Sequence, residues 1–158
     1  MKTQVVRYHD ISCGHRVVGH EGKCRFLHGH NYRVHFHCES EKLDDVGRVI
    51  DFSVMKSELC QWLEDKWDHK MLIWDKDPDL DTLEKHFPES VVVVDFNPTA
   101  ENMAKFLVDY LGQGYIKSLG ILLTKVVIEE TRKCSASYEK PKHRYTYEDE
   151  SKADRIPF

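Results

Sequence analysis

The stretch CRFLHGH at residues 24–30 combines a cysteine with two histidines that flank one glycine. If this stretch is extended, His28 and His30 point to the same side, because residues two apart share one face of a strand. Gly29 between them allows a backbone or a ligand to approach closely. Two imidazoles aimed at one point could form part of a metal site, although an HGH pair alone is more typical of a polar sheet face.

A catalytic metal site needs a third ligand, and His15 is the best candidate. It ends an extended segment, and a hairpin-like pairing of residues 3–15 with 28–40 would bring it alongside the other two histidines. Three neutral histidines with an open fourth position are typical of catalytic rather than structural zinc. The three histidines are therefore candidates for a zinc site, with a histidine-rich polar sheet face as the alternative. The remaining histidines are predicted not to be ligands: His9, His20, His35, His37, His86 and His143.

Cys24 lies four residues before His28, and three roles are open to it. It could be a fourth metal ligand, a nucleophile or base, or an inert core residue. Lys23 and Arg25 beside it, with a zinc ion nearby, would favour the thiolate. The absence of CxxC pairs and the odd total of five cysteines indicate reduced thiols rather than a disulfide framework. The other cysteines are expected to be structural: Cys13, Cys38, Cys60 and Cys134.

Two acidic motifs further along the chain complete the candidate chemistry. Asp68 directly precedes His69, and an aspartate beside a histidine can orient it as a proton shuttle near neutral pH. Glu129 and Glu130 close an apolar strand pattern, and because neighbours on a strand face opposite sides, only one of them can enter a pocket. Such a carboxylate can accept two parallel N–H bonds from a guanidine-like ring edge. Each motif alone is also typical of a solvated surface.

Bulk composition favours a soluble cytoplasmic protein of one domain. The chain has 158 residues, and its formal net charge of −4 argues against a nucleic-acid-binding protein. The longest apolar run, VVVV at 91–94, is far too short to span a membrane. The opening MKTQVVRYHD reaches charged residues before any signal-peptide core could form.

The elements that must position these residues form an α+β pattern with an antiparallel sheet and two helices. The predicted strands and extended pieces are 3–13, 30–40, 48–52, 91–96, 121–131 and 134–139. The predicted helices run over 53–67 and from the N-cap Thr99 to Gly112, each with one apolar face. The acidic stretch 67–89 is predicted to be an irregular connection, and the chain from Lys140 a polar tail.

Taken together, these motifs resemble the 6-pyruvoyltetrahydropterin synthase / 6-carboxytetrahydropterin synthase family. The matching segments are ISCGHRV, CRFLHGHNY, GRVIDFSVMK, WDHKML, NPTAEN and EET, in an order that covers the chain from residue 5 to about 139. The resemblance implies the T-fold, a four-stranded antiparallel sheet with two helices on one face, as a single domain over 1–139 followed by a tail over 140–158. It also implies homo-oligomers, often hexamers, in which sheets close edge to edge into barrels with sites between subunits.

The resemblance also implies a role for each candidate residue. His15, His28 and His30 match the family's zinc ligands, and Cys24 matches its catalytic cysteine. Asp68 and His69 match a second acid/base unit that a neighbouring subunit supplies. Glu130 matches the glutamate that anchors the pterin ring, and Thr99 falls in a segment that lines the pterin pocket. Three basic residues are candidates for the triphosphate, with simple solvation as the alternative: Arg16, Lys23 and Arg25.

Within the family, the three residues between Cys24 and His28 resemble the bacterial 6-carboxytetrahydropterin synthases of the queuosine (7-deazaguanine) pathway. The expected reaction is therefore zinc-dependent conversion of 7,8-dihydroneopterin triphosphate to 6-carboxy-5,6,7,8-tetrahydropterin, with release of acetaldehyde and triphosphate. Two alternatives stay open from the sequence. One is 6-pyruvoyltetrahydropterin synthase, which releases triphosphate only, and the other is a non-catalytic zinc- or pterin-binding protein.

Overall fold

A computed structural model describes residues 2–141, which contain a mixed six-stranded sheet with helices against one face. The strands are β1 (Thr3–His15), β2 (His28–Ser40), β3 (Met71–Trp74), β4 (Val91–Val94), β5 (Leu122–Glu129) and β6 (Ser135–Glu139). Their order across the sheet is β4-β3-β1-β2-β5-β6. The α+β class and the T-fold are confirmed: β1, β2, β5 and β6 are the antiparallel strands, and β3 and β4 extend the sheet.

The hairpin of β1 and β2 places the motifs of the two segments opposite each other. His15 is paired with His28, and Cys13 is paired with His30, so the predicted pairing of 3–15 with 28–40 is confirmed. Since both strands run for 13 residues without a bulge between them, the alternation of side chains is preserved along the whole hairpin.

Alternation along β2 separates a buried face from a solvent face. Tyr32, Val34 and Phe36 are fully buried under the helices, whereas Arg33 and His35 lie on the other side. His28 and His30 belong to the face of the buried residues, which sets them apart from His35 and His37 as the period of two requires.

The helical side of the molecule begins with one continuous helical stretch. It consists of α1 (Phe52–Met55), a π-helical segment (Lys56–Cys60) and α2 (Gln61–Lys66). Asp51 caps its start by accepting a hydrogen bond from the Ser53 amide at 2.8 Å. The helix predicted over 53–67 is thus confirmed within one residue, but residues 48–52 hold no strand: Val49 and Ile50 are buried in a bend.

The stretch 67–89 is ordered, and its prediction as an irregular connection is wrong. It contains β3 and α3 (Leu80–His86), whereas β4 confirms the strand predicted over 91–96. Leu72 and Ile73 are fully buried, and β3 pairs in parallel with the end of β1, His15 lying opposite Leu72. The four apolar residues of β3 therefore support the strand that carries His15.

The C-terminal half agrees with the sequence pattern. Helix α4 (Ala100–Leu111) starts at Thr99 and is followed by the short α5 (Tyr115–Ser118), then by the β5–β6 hairpin. Met103, Leu107 and Val108 of α4 are fully buried against the sheet. No helix among residues 2–141 is long and apolar enough to cross a membrane. Residues 142–158 of the predicted tail, including His143, lie outside the described residues, so the division at 139/140 stays a prediction.

Candidate metal centre and active site

Three histidines converge where β1 ends and β2 begins. One ring nitrogen of each of His15, His28 and His30 lies within 4.8 Å of those of the other two. His15 is 1% exposed, and its ring centroid is 4.5 Å from that of His28 and 5.2 Å from that of His30. The structure therefore brings together the three residues that the sequence analysis predicted as ligands.

Main-chain oxygens orient two of the three rings. His15 Nδ1 lies 2.6 Å from the carbonyl oxygen of Pro98, and His28 Nδ1 lies 2.7 Å from that of Phe26. Because a carbonyl oxygen can only accept a hydrogen bond, both Nδ1 atoms carry a proton, and Nε2 is the nitrogen left to bind a metal. Metal-binding histidines typically have this arrangement, since a hydrogen bond from the outer nitrogen fixes the tautomer and the ring.

The donor set fits a divalent metal ion such as zinc. His30 Nε2 is buried and has no hydrogen-bond partner among residues 2–141, although a buried polar atom normally has one. Burial also lowers the pKa of both His15 and His30, which favours the neutral imidazole that a metal requires. Neutral imidazole nitrogens at one point suit zinc.

Tyr32 and Glu130 lie directly beside this histidine cluster. The Tyr32 hydroxyl lies 3.1 Å from His15 Nε2, and the side chain is fully buried. Burial raises the pKa of Tyr32, and the neighbouring carboxylate of Glu130 adds to the effect, so the hydroxyl keeps its proton. Sequence analysis did not single out Tyr32, although the period of two places it on the same face as His28 and His30.

Cys24 lies in the 3₁₀ turn Lys23–Arg25, inside the loop that joins β1 to β2. Its carbonyl oxygen accepts a hydrogen bond from the amide of Val17 at 2.8 Å, which closes the loop at its base. The side chain is half-buried, as a reactive thiol must be, whereas Cys13, Cys38 and Cys60 are buried. Burial raises the pKa of Cys13 and of Cys38 to about 12, which agrees with inert core thiols.

Asp68 and His69 form a hydrogen-bonded pair beside β1, just before β3 begins. The Asp68 carboxylate accepts hydrogen bonds from the Ser12 amide at 2.8 Å and from His69 Nδ1 at 2.7 Å. Burial opposes the ionised form, but these two hydrogen bonds prevail and lower the pKa of Asp68. His69 has a φ of 56°, a left-handed conformation that costs a non-glycine residue about 1–3 kcal/mol and often marks a functional position.

The Asp68–His69 pair is not bonded to the histidine cluster within the described residues of its own chain. Over residues 2–141, no hydrogen bond or ion pair connects either residue with Cys24 or with the three clustered histidines. The His69 side chain is 80% exposed. His69 lines one open cavity together with His30 and Asn31, and its ring is accessible to another molecule.

The residues just before α4 hold the histidine cluster and its neighbouring loop in place. Sequence analysis did not predict these contacts. Asn97 bonds the amide and the carbonyl of Val18 with its side chain at 3.0 and 2.9 Å, and Pro98 supplies the carbonyl oxygen that accepts from His15. Thr99 Oγ1 accepts from the Asn102 amide at 3.3 Å as the predicted N-cap. In this structure the Thr99 hydroxyl is therefore engaged in capping.

Arg16, a candidate for the triphosphate, is occupied by an internal ion pair. Its guanidinium contacts both carboxylate oxygens of Asp77, which is buried, and reaches Asp79 at 2.8 Å. Burial opposes ionisation of Asp77, but the hydrogen bond from Arg16 holds the pKa of that carboxyl below its usual range. The ion pair thereby ties Arg16, which directly follows His15, to the segment before α3.

Replacing Asp77 with asparagine is expected to lower the free energy of unfolding by about 3–5 kcal/mol, because the Arg16 charge would be left without its buried partner. Asp79→Asn is the matched control and should cost under about 1 kcal/mol, since Asp79 is 61% exposed. The Asp77 contribution is present above the unfolded pKa of about 3.9 and is lost as the pH falls through the lower folded value. Urea unfolding at pH 7 and pH 3 measures both effects, and equal losses in the two variants would refute the assignment.

The fold and the site define a class: a T-fold protein with three converging histidines that could hold a metal ion. The sequence model of 6-pyruvoyl tetrahydropterin synthase matches residues 4–141, so the chain belongs to this family, as its motifs predicted. A 6-carboxy-5,6,7,8-tetrahydropterin synthase from Rickettsia bellii is 30% identical over 126 residues, which cover 79% of this chain and 91% of the relative.

Further relatives agree with this membership. A 6-carboxy-5,6,7,8-tetrahydropterin synthase from Aquifex aeolicus is 34% identical over 125 residues, covering 74% of this chain and 76% of the relative. An uncharacterized protein from Wolinella succinogenes superposes with a TM-score of 0.80 at 28% identity, covering 89% of this chain and 99% of that one. A Caenorhabditis elegans 6-pyruvoyl tetrahydropterin synthase gives 0.64 at 24% identity, with 89% and 97% covered, which shows the shared fold. The chain is a pterin synthase of this family.

Proposed function

We propose that this protein is a zinc-dependent 6-carboxytetrahydropterin synthase of queuosine biosynthesis. It converts 7,8-dihydroneopterin triphosphate and one water molecule to 6-carboxy-5,6,7,8-tetrahydropterin, acetaldehyde and triphosphate. The observation that carries the proposal is the convergence of the ring nitrogens of His15, His28 and His30 beside Glu130. Relatives from two bacterial genera that bear this activity's name support the choice of reaction.

The gap between Cys24 and His28 supports the same choice. Three residues separate them, as in the bacterial enzymes that the motifs resemble. The competing reaction is that of 6-pyruvoyltetrahydropterin synthase, which the family's description names. Both reactions start from the same substrate, so the products distinguish them.

His15, His28 and His30 would hold the zinc ion, which would supply Lewis-acid polarisation of the substrate's side-chain hydroxyls. Cys24, as a thiolate, would take a proton from the substrate's side chain, and its half-buried position leaves it accessible for this. His69 would donate or accept a second proton at its Nε2 atom. Its Nδ1 atom already bonds Asp68, which sets the tautomer.

Glu130 would anchor the heterocycle. Its carboxylate is 27% exposed at the end of β5, so a ring edge with parallel N–H groups can reach it. Fixing the ring at Glu130 would bring the side chain of the pterin toward the histidines, which is catalysis by positioning. Lys23 and Arg25 are exposed near Cys24 and remain candidates for the triphosphate.

The active form is proposed to be a homo-oligomer, a hexamer, with each site shared between subunits. Within residues 2–141, Asp68 and His69 form no hydrogen bond or ion pair with the cluster of their own chain, and they would serve that of a neighbour. The edge strands β4 and β6 also present unpaired backbone groups, which barrel closure would satisfy. Neither nucleic acid nor a membrane is a proposed partner.

The direct test is incubation of the purified protein with 7,8-dihydroneopterin triphosphate, followed by mass spectrometry of the products. The proposal expects 6-carboxytetrahydropterin and one acetaldehyde for each triphosphate released. Release of triphosphate with a 6-pyruvoyl product would assign the competing reaction. A lack of turnover at one zinc per chain would leave a binding protein and refute both enzymatic assignments.

A further inference from the structure

The Glu130 carboxylate approaches two of the three clustered histidines as a further ligand would. Its Oε1 atom lies 3.6 Å from His15 Nε2 and 3.6 Å from His30 Nε2. Neighbouring ligand atoms of a tetrahedral zinc ion are about 3.4 Å apart, because each lies about 2.0–2.1 Å from the metal. The carboxylate thus stands near ligand spacing from His15 and His30, whereas the group whose ligand atoms all lie within 4.8 Å of one another consists of the three histidines.

One buried ring nitrogen beside this carboxylate is left without a partner. His15 Nδ1 donates to the Pro98 carbonyl, and its Nε2 atom lies 3.1 Å from the Tyr32 hydroxyl, which can donate to it. His30 Nε2 is buried and has no hydrogen-bond partner in the described part of the chain. A metal ion between His30 Nε2 and the carboxylate would satisfy the buried nitrogen and neutralise the negative charge.

We propose that Glu130 is the fourth ligand of the metal ion when no substrate is bound, and that the pterin ring withdraws it. The metal ligation rests on the geometry, and the withdrawal also rests on the proposed function, in which the same carboxylate binds the ring. Because one side chain cannot serve both partners fully, ring binding opens a coordination position for the substrate's hydroxyls. The site would therefore expose its metal only when a pterin is in place.

The backbone around Glu130 allows both positions of the side chain. Glu130 follows the last residue of β5, and its amide bonds the carbonyl of Cys134 at 3.1 Å across the turn to β6. The backbone is thereby fixed while the carboxylate remains partly exposed. The buried Tyr32 hydroxyl, which keeps its proton, is a neighbouring hydrogen-bond donor for the carboxylate in its present position.

Zinc affinity tests the ligation. Glu130→Gln should weaken zinc binding roughly 10- to 100-fold, the range found when a residue that supports a metal site is lost. Glu129→Gln is the matched control, because its carboxylate faces the other side of the sheet and bonds His35 at 2.8 Å. Competition with a chromophoric chelator measures both affinities, and the visible spectrum of the cobalt-loaded proteins should change only in Glu130→Gln. Equal zinc affinities and identical cobalt spectra in the two variants would overturn the proposal.

A linkage measurement on the wild-type protein tests the withdrawal without any variant. The probe is unsubstituted pterin, which has the ring edge but no side-chain hydroxyls. Saturating pterin should weaken zinc binding severalfold, and zinc-free protein should bind pterin more tightly by the same factor, because coupling between sites is reciprocal. Zinc affinity that is unchanged or raised by pterin would overturn the withdrawal. Turnover of the triphosphate substrate is measured separately, so failure of this inference and failure of the proposed function are distinguishable.

Discussion

Cys24→Ala is expected to reduce turnover of 7,8-dihydroneopterin triphosphate by about 10²–10⁴-fold, the range that a positioned acid or base contributes. The thiol lies in a short turn and is half-buried, so its removal leaves no large cavity. The variant should therefore keep its fold and its zinc, in contrast to a variant that lacks a metal ligand. The measurements are initial rates of triphosphate release and zinc content by atomic absorption.

Cys134→Ala is the control for Cys24→Ala. Cys134 is an exposed thiol in the turn between β5 and β6, and no role is proposed for it. Its removal should leave the rate within about twofold of the wild type, as for a surface substitution. If Cys24→Ala retained full turnover with normal zinc content, Cys24 would not be the catalytic base.

His69→Ala is expected to lose activity to a similar degree, and co-expression with Cys24→Ala should restore part of it. In a shared site, Cys24 comes from one subunit and His69 from its neighbour, so each variant supplies what the other lacks. Random mixing in a symmetric oligomer would rebuild about a quarter of the sites. The rate of the purified mixed oligomer, normalised to total protein, measures this recovery.

A second mixture tests whether the recovery requires complementary subunits. Chains that carry both Cys24→Ala and His69→Ala are co-expressed with chains that carry Cys24→Ala alone. No complete site can form in this mixture, so it should remain inactive. If the mixture of single variants stayed inactive as well, although both chains were present in the oligomer, the site would lie within one chain. That result would contradict the role proposed for the exposed His69 side chain.

The histidine cluster was predictable because its geometry follows from a period. Residues two apart on a strand share a face, and the hairpin of β1 with β2 then fixes His15 opposite His28. The same rule places the side chains of His35 and His37 on the opposite face of the sheet from His28 and His30. The helices were predictable for an equivalent reason, since Asp51 and Thr99 are good N-caps before amphipathic runs.

The groups that sequence reasoning missed act through the main chain or through distant contacts. Pro98 and Phe26 orient the histidines with carbonyl oxygens, which every residue possesses and no residue type reveals. The short strand β3 was missed because its four apolar residues form a strand only through parallel pairing with β1, which is distant in the sequence. The position of Glu130 beside His15 depends on contacts across the sheet, which local patterns do not encode.

The most direct test of the account is acetaldehyde release as a function of zinc. Metal-depleted protein is given 7,8-dihydroneopterin triphosphate, zinc is titrated in, and acetaldehyde and triphosphate are both quantified. The account predicts no product without metal, a rise that saturates near one zinc per chain, and equal amounts of acetaldehyde and triphosphate. Full turnover without zinc, or triphosphate released without acetaldehyde, would contradict it.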